Sequence, residues 1–257
     1  MTTVTLATHC HSRDLPRLHA PGELESLIAC HNFPFDEILI IHQRCGKTID
    51  YVDGWYINDS GLRYQLPHHL GKITLYNILA FDYPDILKTW GLNPNDTLLD
   101  EVTHGWNWQW YWQHHCVNHL KELMVCSSDY IVFNDADCRI KSQPSSWVEK
   151  GIELLETHPE ILVVAPSDGG QEFNQILPNG TRLSLTSSQQ LFMGKTSVLR
   201  QMDFTNLQWD GKYDAPYGPM QEFYGMFESW LWRWMRANNM FRAVLPEQWR
   251  YDHRQWH

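Results

Sequence analysis

Ten residues near the middle of the chain, 129–138, narrow the fold more than any other stretch. Tyr130-Ile131-Val132-Phe133 is a short run of β-branched and aromatic residues bounded by polar ones, and it reads as a buried strand. It breaks abruptly into Asp135-Ala136-Asp137. Two carboxylates one residue apart at the end of a buried strand are costly unless something compensates them. A hard divalent cation suits carboxylate oxygens and keeps positions open for the phosphates of a substrate. On spacing alone the alternative is a strand that ends in a polar turn with an Asx cap.

The rest of the chain supplies a setting for that strand. Residues 4–7 form a first short apolar run, and Ile38-Leu39-Ile40-Ile41 a second, apolar enough to be buried on both faces. Between them Leu15, Leu18, Leu24, Leu27 and Ile28 recur at helical spacing, with a break at Pro21-Gly22. Strand, helix, strand is the first unit of a parallel sheet with a right-handed crossover. Ligands of such sheets bind beyond the carboxyl ends of the strands, which puts residues 8–13 and 42–44 at the mouth of a site.

Further helices are expected over 110–124, 147–157, 195–202 and 227–239, with Pro159 terminating the second. Strands are expected over 161–166, 189–194 and 241–245. Residues 45–103 read as loops with a helix around 73–80, and residues 169–186 and 206–219 as loops. The tail, residues 246–257, mixes Trp249, Tyr251, His253 and Trp256 with polar groups and is expected to order over a bound nucleotide. No internal repeat or low-complexity linker interrupts the pattern. The expected fold is α/β, one domain over 1–257 with a mostly parallel central sheet flanked by helices.

Composition excludes some functions. Twenty Lys and Arg against thirty Asp and Glu leave a formal net charge of -10, which argues against a broad nucleic-acid-binding face. No segment is long and apolar enough to span a membrane, and no signal peptide is expected. The six cysteines form no CxxC pair and read as reduced thiols of a cytoplasmic protein. His115 and His119 are four apart on a helix, a spacing that can bind zinc. No Glu follows His115, so HExxH is absent, and Val117 and Leu120 point to an ordinary packed helix. Trp230, Trp232 and Trp234 alternate on a helix and cannot share one face.

The order of these features resembles the GT-A nucleotide-sugar glycosyltransferases, especially family 2-like enzymes. Three landmarks carry the resemblance. They are the opening unit with Arg13-Asp14-Leu15-Pro16-Arg17-Leu18, the helix around Asn118 leading through a strand into the DxD motif at Asp135-Ala136-Asp137, and Glu228 heading a helix that ends in Asn238-Asn239 before Phe241. The resemblance implies a single GT-A (Rossmann-like) domain, with a nucleotide-binding half over about 1–140 and an acceptor-binding half over about 141–257. It implies a nucleoside-diphosphate sugar donor, expected to be a UDP-sugar, a Mn²⁺ or Mg²⁺ ion, and a carbohydrate or other hydroxyl compound as acceptor.

By the same resemblance, Asp137 ligates the metal directly. Asp135 contacts the metal site through the ribose or a metal-bound water, and His253 is a third metal ligand. Thr8, His9, Arg13, Asp135 and Ala136 hold the nucleotide. Glu228 is the base of an inverting transfer, with Glu222 in reserve. Two departures stand out: the second strand ends in His42-Gln43 where many members carry a base-reading acid, and the acid pair at the helix head is reduced to Glu228 alone. A sugar nucleotidyltransferase is the other enzyme reading, but residues 8–13 contain no glycine to cradle a triphosphate. A catalytically inactive carbohydrate-binding module that keeps the GT-A fold is the third.

Overall fold

The computed structural model describes residues 2–11, 18, 20–43, 50–52, 55–57, 63–64, 73–78, 83–91, 108–167, 173–186, 190–202 and 227–253. The first strand, β1 (Val4–His11), is followed by helix α1 (Glu23–Ala29) and strand β2 (Glu37–Gln43), which pairs with β1 in parallel. α1 starts where the sequence breaks, after Gly22. Its φ of 83° lies in the left-handed region that glycine adopts without penalty.

Strands β3 (Asp50–Val52), β4 (Trp55–Ile57) and β5 (Arg63–Tyr64) form a small antiparallel sheet of their own, in a segment the sequence offered only as loops. The helix expected around 73–80 is instead a strand, β6 (Ile73–Ile78), parallel to β2 from Ile38↔Ile73 to Gln43↔Ile78. Apolar residues at 73, 75, 76 and 78 fit either period, and six residues is strand length rather than helix length. Helix α2 (Tyr83–Thr89) follows, then the long α3 (Trp108–Val125).

Strand β7 (Tyr130–Asp135) joins β1 in parallel on the side away from β2. Next come β8 (Cys138–Ser142), α4 (Trp147–Thr157) and β9 (Ile161–Ala165). Two short strands, β10 (Gln175–Ile176) and β11 (Arg182–Ser184), lie in a segment expected as loop. The chain goes on through β12 (Leu191–Lys195), the single turn α5 (Thr196–Leu199), α6 (Phe227–Asn238) and β13 (Phe241–Val244). It returns in β14 (Arg250–His253) to pair antiparallel with β8.

The main sheet has nine strands in the order β10-β11-β13-β9-β12-β7-β1-β2-β6. Its direction is mostly parallel, with β12 reversed between β7 and β9, and β11 reversed at one edge. Side chains alternate across it. Val4, Leu6, Val132 and Ile40 meet Leu24, Leu27, Trp147 and Leu155 on one face. Ala7, Ile131, Phe133 and Leu39 meet Val117, Leu120, Leu123, Trp230 and Leu231 on the other. Each fully buried side chain of this size contributes about 1.5–3 kcal/mol, so the two layers fix the sheet between its helices. This is the α/β arrangement expected, a mostly parallel central sheet flanked by helices. Among the described residues no helix is long and apolar enough to cross a membrane.

Candidate functional site

The chain moves outward from β1 through β2 to β6, then returns to the other side of β1 at β7. Strand order therefore reverses between β1 and β7, and in open α/β sheets a crevice forms outside the carboxyl ends of strands at such a point. Both ends carry polar residues. The register sets Thr8 beside Asn134 and His9 beside Asp135.

Alternation sends the two pairs to opposite faces. Thr8 and Asn134 are fully buried, and among the described residues neither the Thr8 Oγ1 nor the Asn134 Oδ1 has a hydrogen-bond partner. His9 and Asp135 turn toward α3. There His9 Nε2 lies 3.1 Å from Asp135 Oδ1, and Nδ1 lies 3.3 Å from Oε1 of Glu122, a fully buried residue of α3. Burial is the largest influence on His9 and lowers its pKa. Asp135 and then Glu122 outweigh burial, by hydrogen bonding and charge, and raise it from 6.5 to about 10. His9 is therefore an imidazolium at neutral pH, 4% exposed, between two carboxyl groups.

An aromatic layer closes this cluster from the side. The His119 ring meets His9 edge-on with centroids 4.9 Å apart, and stacks on Phe227 at 4.8 Å with an interplanar angle of 11°. Phe133 and Phe192 complete the packing around it. His119 thus packs among these rings, and it offers a ring nitrogen within 4.8 Å of ligand atoms of His9 and Asp135. Phe227 heads α6, so the next residue, Glu228, half-buried in the first turn, belongs to the element that touches this layer.

The turn that carries the second aspartate is held by Arg139. This buried guanidinium donates through Nη1 to the carbonyl oxygens of Ala136 at 2.6 Å and Cys138 at 2.9 Å, and pairs through Nη2 with Glu23 of α1 at 3.3 Å. The backbone N–H of Asp135 donates to Gln190 O at 2.7 Å, and the Asn134 amide donates to the Asp135 carbonyl at 2.7 Å. Oxygens of Asp135 and Asp137 and the Cys138 sulfur come within 4.8 Å of one another. Burial, then the charges of Asp135 and Asp137, push the Cys138 thiol well up, so it is a neutral packing group there.

β14 lies beside this turn. His253 is opposite Cys138 in its register, the position directly after Asp137. Residues 246–253 of the tail are more firmly built in than a flap over a ligand, and Trp256 lies outside the described residues. Trp249 and Tyr251 are buried in the core, Trp249 Nε1 donates to Ser145 O at 3.1 Å, and the Tyr251 hydroxyl donates to Gln190 Oε1 at 3.2 Å. The structure thus brings together Thr8, His9, Asp135, Ala136, Asp137 and the backbone of His253. Arg13 and Glu222 lie outside the described residues.

Glu122 and Arg139 were not among the residues singled out from sequence. Glu122 had a signal: it lies four residues after Asn118, so the two share one stripe of α3. Arg139 had none, since a lone arginine after a turn reads as surface.

Scans against protein-family models and against curated proteins match nothing. Among solved structures the chain is similar to the crystal structure of S. aureus TarS 1-349. The TM-score is 0.45 with 12% identity, over 97% of this chain and 60% of that one. The chain thus spans less than two thirds of that structure's length, and a likeness of this degree carries no activity across.

Proposed function

We propose that the chain is a metal-dependent glycosyltransferase that moves a sugar from a nucleoside-diphosphate sugar to an acceptor hydroxyl, with inversion. The observation that supports this most is the pair Asp135 and Asp137, at the carboxyl end of β7 where the strand order reverses. Their chemistry fits a hard divalent ion, Mn²⁺ or Mg²⁺: oxygens of the two carboxylates converge within 4.8 Å. Charge agrees. Glu122, Asp135 and Asp137 bring three carboxyl groups to this end of the sheet, and the His9 imidazolium offsets one of them.

Asp137 would hold the cation directly, with His253 of β14 as a further ligand and Asp135 turned to the ribose or a metal-bound water. When bound, such a cation supplies the positive charge that a departing diphosphate requires. Thr8, Arg13 and the backbone at Ala136 hold the nucleotide, expected to be UDP, the guanidinium by charge-assisted hydrogen bonds. Glu228 accepts the proton of the acceptor hydroxyl on the face opposite the leaving group.

Calorimetric titration of UDP in the presence of Mn²⁺ tests the reading. Wild type is expected to bind and Asp137→Ala to lose measurable affinity while keeping its thermal transition. Equal affinity in the two proteins removes the metal assignment. A panel of nucleotide sugars with Mn²⁺, followed for slow donor hydrolysis, then identifies the sugar.

A further inference from the structure

Asp135 is tethered from behind at a cost that packing does not explain. Glu122 is fully buried, and among the described residues its Oε2 has no hydrogen-bond partner, nor does any polar atom of the Asn118 side chain one turn earlier on the same helix stripe. A buried acceptor or donor left unmade costs about 1–3 kcal/mol. Buried ion pairs are often replaced by apolar residues of similar volume with no loss of stability. The layer around this cluster, with Ala7, Ile131, Phe133 and Val117, would accept such residues.

What the tether achieves is direction. An imidazole is rigid and planar, and its two nitrogens point to opposite sides of the ring. Here one faces the helix carboxylate at 3.3 Å and the other the strand carboxylate at 3.1 Å. The Asp135 oxygen turned to His9 is itself buried, so the 14% of that side chain left exposed lies on its other atoms.

We infer that His9 is a positioning residue: clamped at Nδ1 by Glu122, it fixes the Asp135 carboxylate through Nε2 and so sets how Asp135 is presented to a metal-bound nucleotide. The inference rests on the proposed glycosyltransferase reading for the identity of that ligand. In this role His9, expected from the sequence to hold the nucleotide, acts through Asp135 instead of on the ligand itself. Glutamine cannot replace it, because its amide would turn a carbonyl oxygen toward one of the two carboxylates. Glu122→Gln is milder, since a glutamine carbonyl still accepts the Nδ1–H. Groups that orient a metal-site ligand from behind are typically worth about 10–100-fold in affinity or activity.

The test uses the full chain in two arms. Urea unfolding is measured for wild type, His9→Gln, Asp135→Asn and the double variant, and again with Asp137→Asn in place of Asp135→Asn. His9 and Asp135 are expected to couple and His9 and Asp137 to add. UDP with Mn²⁺ is then titrated calorimetrically, well below each variant's melting temperature. His9→Gln is expected to weaken binding by about 10–100-fold, with Glu122→Gln between it and wild type. If His9→Gln does not fold, the Glu122→Gln titration decides, and wild-type affinity there overturns the inference. Additive unfolding energies for His9 and Asp135 overturn it. Coupled unfolding with unchanged affinity also overturns it, by making the tether a packing device. A wild type that binds no UDP with Mn²⁺ removes the glycosyltransferase reading, and with it the ligand for which Asp135 is positioned.

Discussion

Two buried histidines, on opposite faces of the sheet, have been driven in opposite directions. His31 lies against Phe35 and Trp147, its Nδ1 accepting from the Trp147 indole at 3.0 Å. Burial, and then the positive charge of Arg139, lower its pKa from 6.5 to about 3. His9 is as deeply buried, yet two carboxylates carry it up to about 10. Burial alone thus predicts the His31 outcome, and an ionised histidine in an apolar layer signals that its partners are the reason for its presence. The packed end of the molecule keeps its histidine neutral, and the end carrying the aspartates keeps its histidine charged.

The largest expected effect lies at the charged end and leaves stability alone. Glu228→Gln should lower sugar transfer by about 10²–10⁴-fold, the usual worth of a general base, with donor affinity near wild type. Steady-state turnover reads the loss, and proton NMR of the product should show an inverted anomer. A retained anomer or undiminished turnover would pass the role to Glu222 or to the acceptor itself.

Next in size is an effect that blurs the division between the two ends. Trp249→Ala removes a buried indole next to the β8–β14 ladder and should cost about 3–5 kcal/mol in urea unfolding. From the sequence, the tail was expected to matter far more for nucleotide binding than for stability. Its burial predicts that both fall, and an unshifted unfolding midpoint would restore the flap picture.

The pH dependence of stability sharpens the contrast. The folded pKa of His31 lies below its unfolded value, so the unfolded chain takes up a proton that the folded chain refuses. Stability is intact above about pH 6.5 and should fall, from this residue, by up to about 1.4 kcal/mol per pH unit down to about pH 3. The His9 shift has the opposite sign, so its contribution is complete below about pH 6.5 and fades as pH rises through about 10. Subtracting the unfolding profile of His31→Gln from that of wild type isolates the acid limb, and a flat difference between pH 6.5 and 4 refutes the assignment.

The smallest expected effect connects the two ends through Arg139, which holds the Asp135–Asp137 turn and depresses His31 at once. Arg139→Gln should raise the His31 pKa toward its ordinary value, read by NMR of the imidazole. Loss of its bonds to two carbonyls should cost about 1–3 kcal/mol.

Elements built on uninterrupted apolar runs were readable in the sequence: β1, β2, β7, β9 and β13, and the helices whose stripes include Val117, Leu120, Val148 and Leu155. Short runs were not. Ile73 to Ile78 satisfies two periods at once, and strands of two or three residues such as β5 and β10 carry too little pattern to separate from turns. At the site, Asp135 and Asp137 were visible because two acids after a buried strand violate the expected polarity. Glu122 carried only the weak signal of its spacing from Asn118, because a glutamate in mid-helix ordinarily faces water. Its burial depends on a contact with His9, 113 positions away.

The turn bearing Asp135 and Asp137 leads into β8, whose partner β14 lies more than a hundred residues downstream, whereas β1 finds β2 across a short crossover. Closing so long a loop costs conformational entropy that a four-residue ladder offsets only once the intervening chain is in place. The ladder is therefore late to form and early to open, and backbone amides of residues 138–142 and 250–253 should exchange with deuterium sooner than those of β1 and β2. A chain under thermal stress would then lose its grip on the second aspartate while most of the sheet still stands, so function should fail at a lower temperature than the fold.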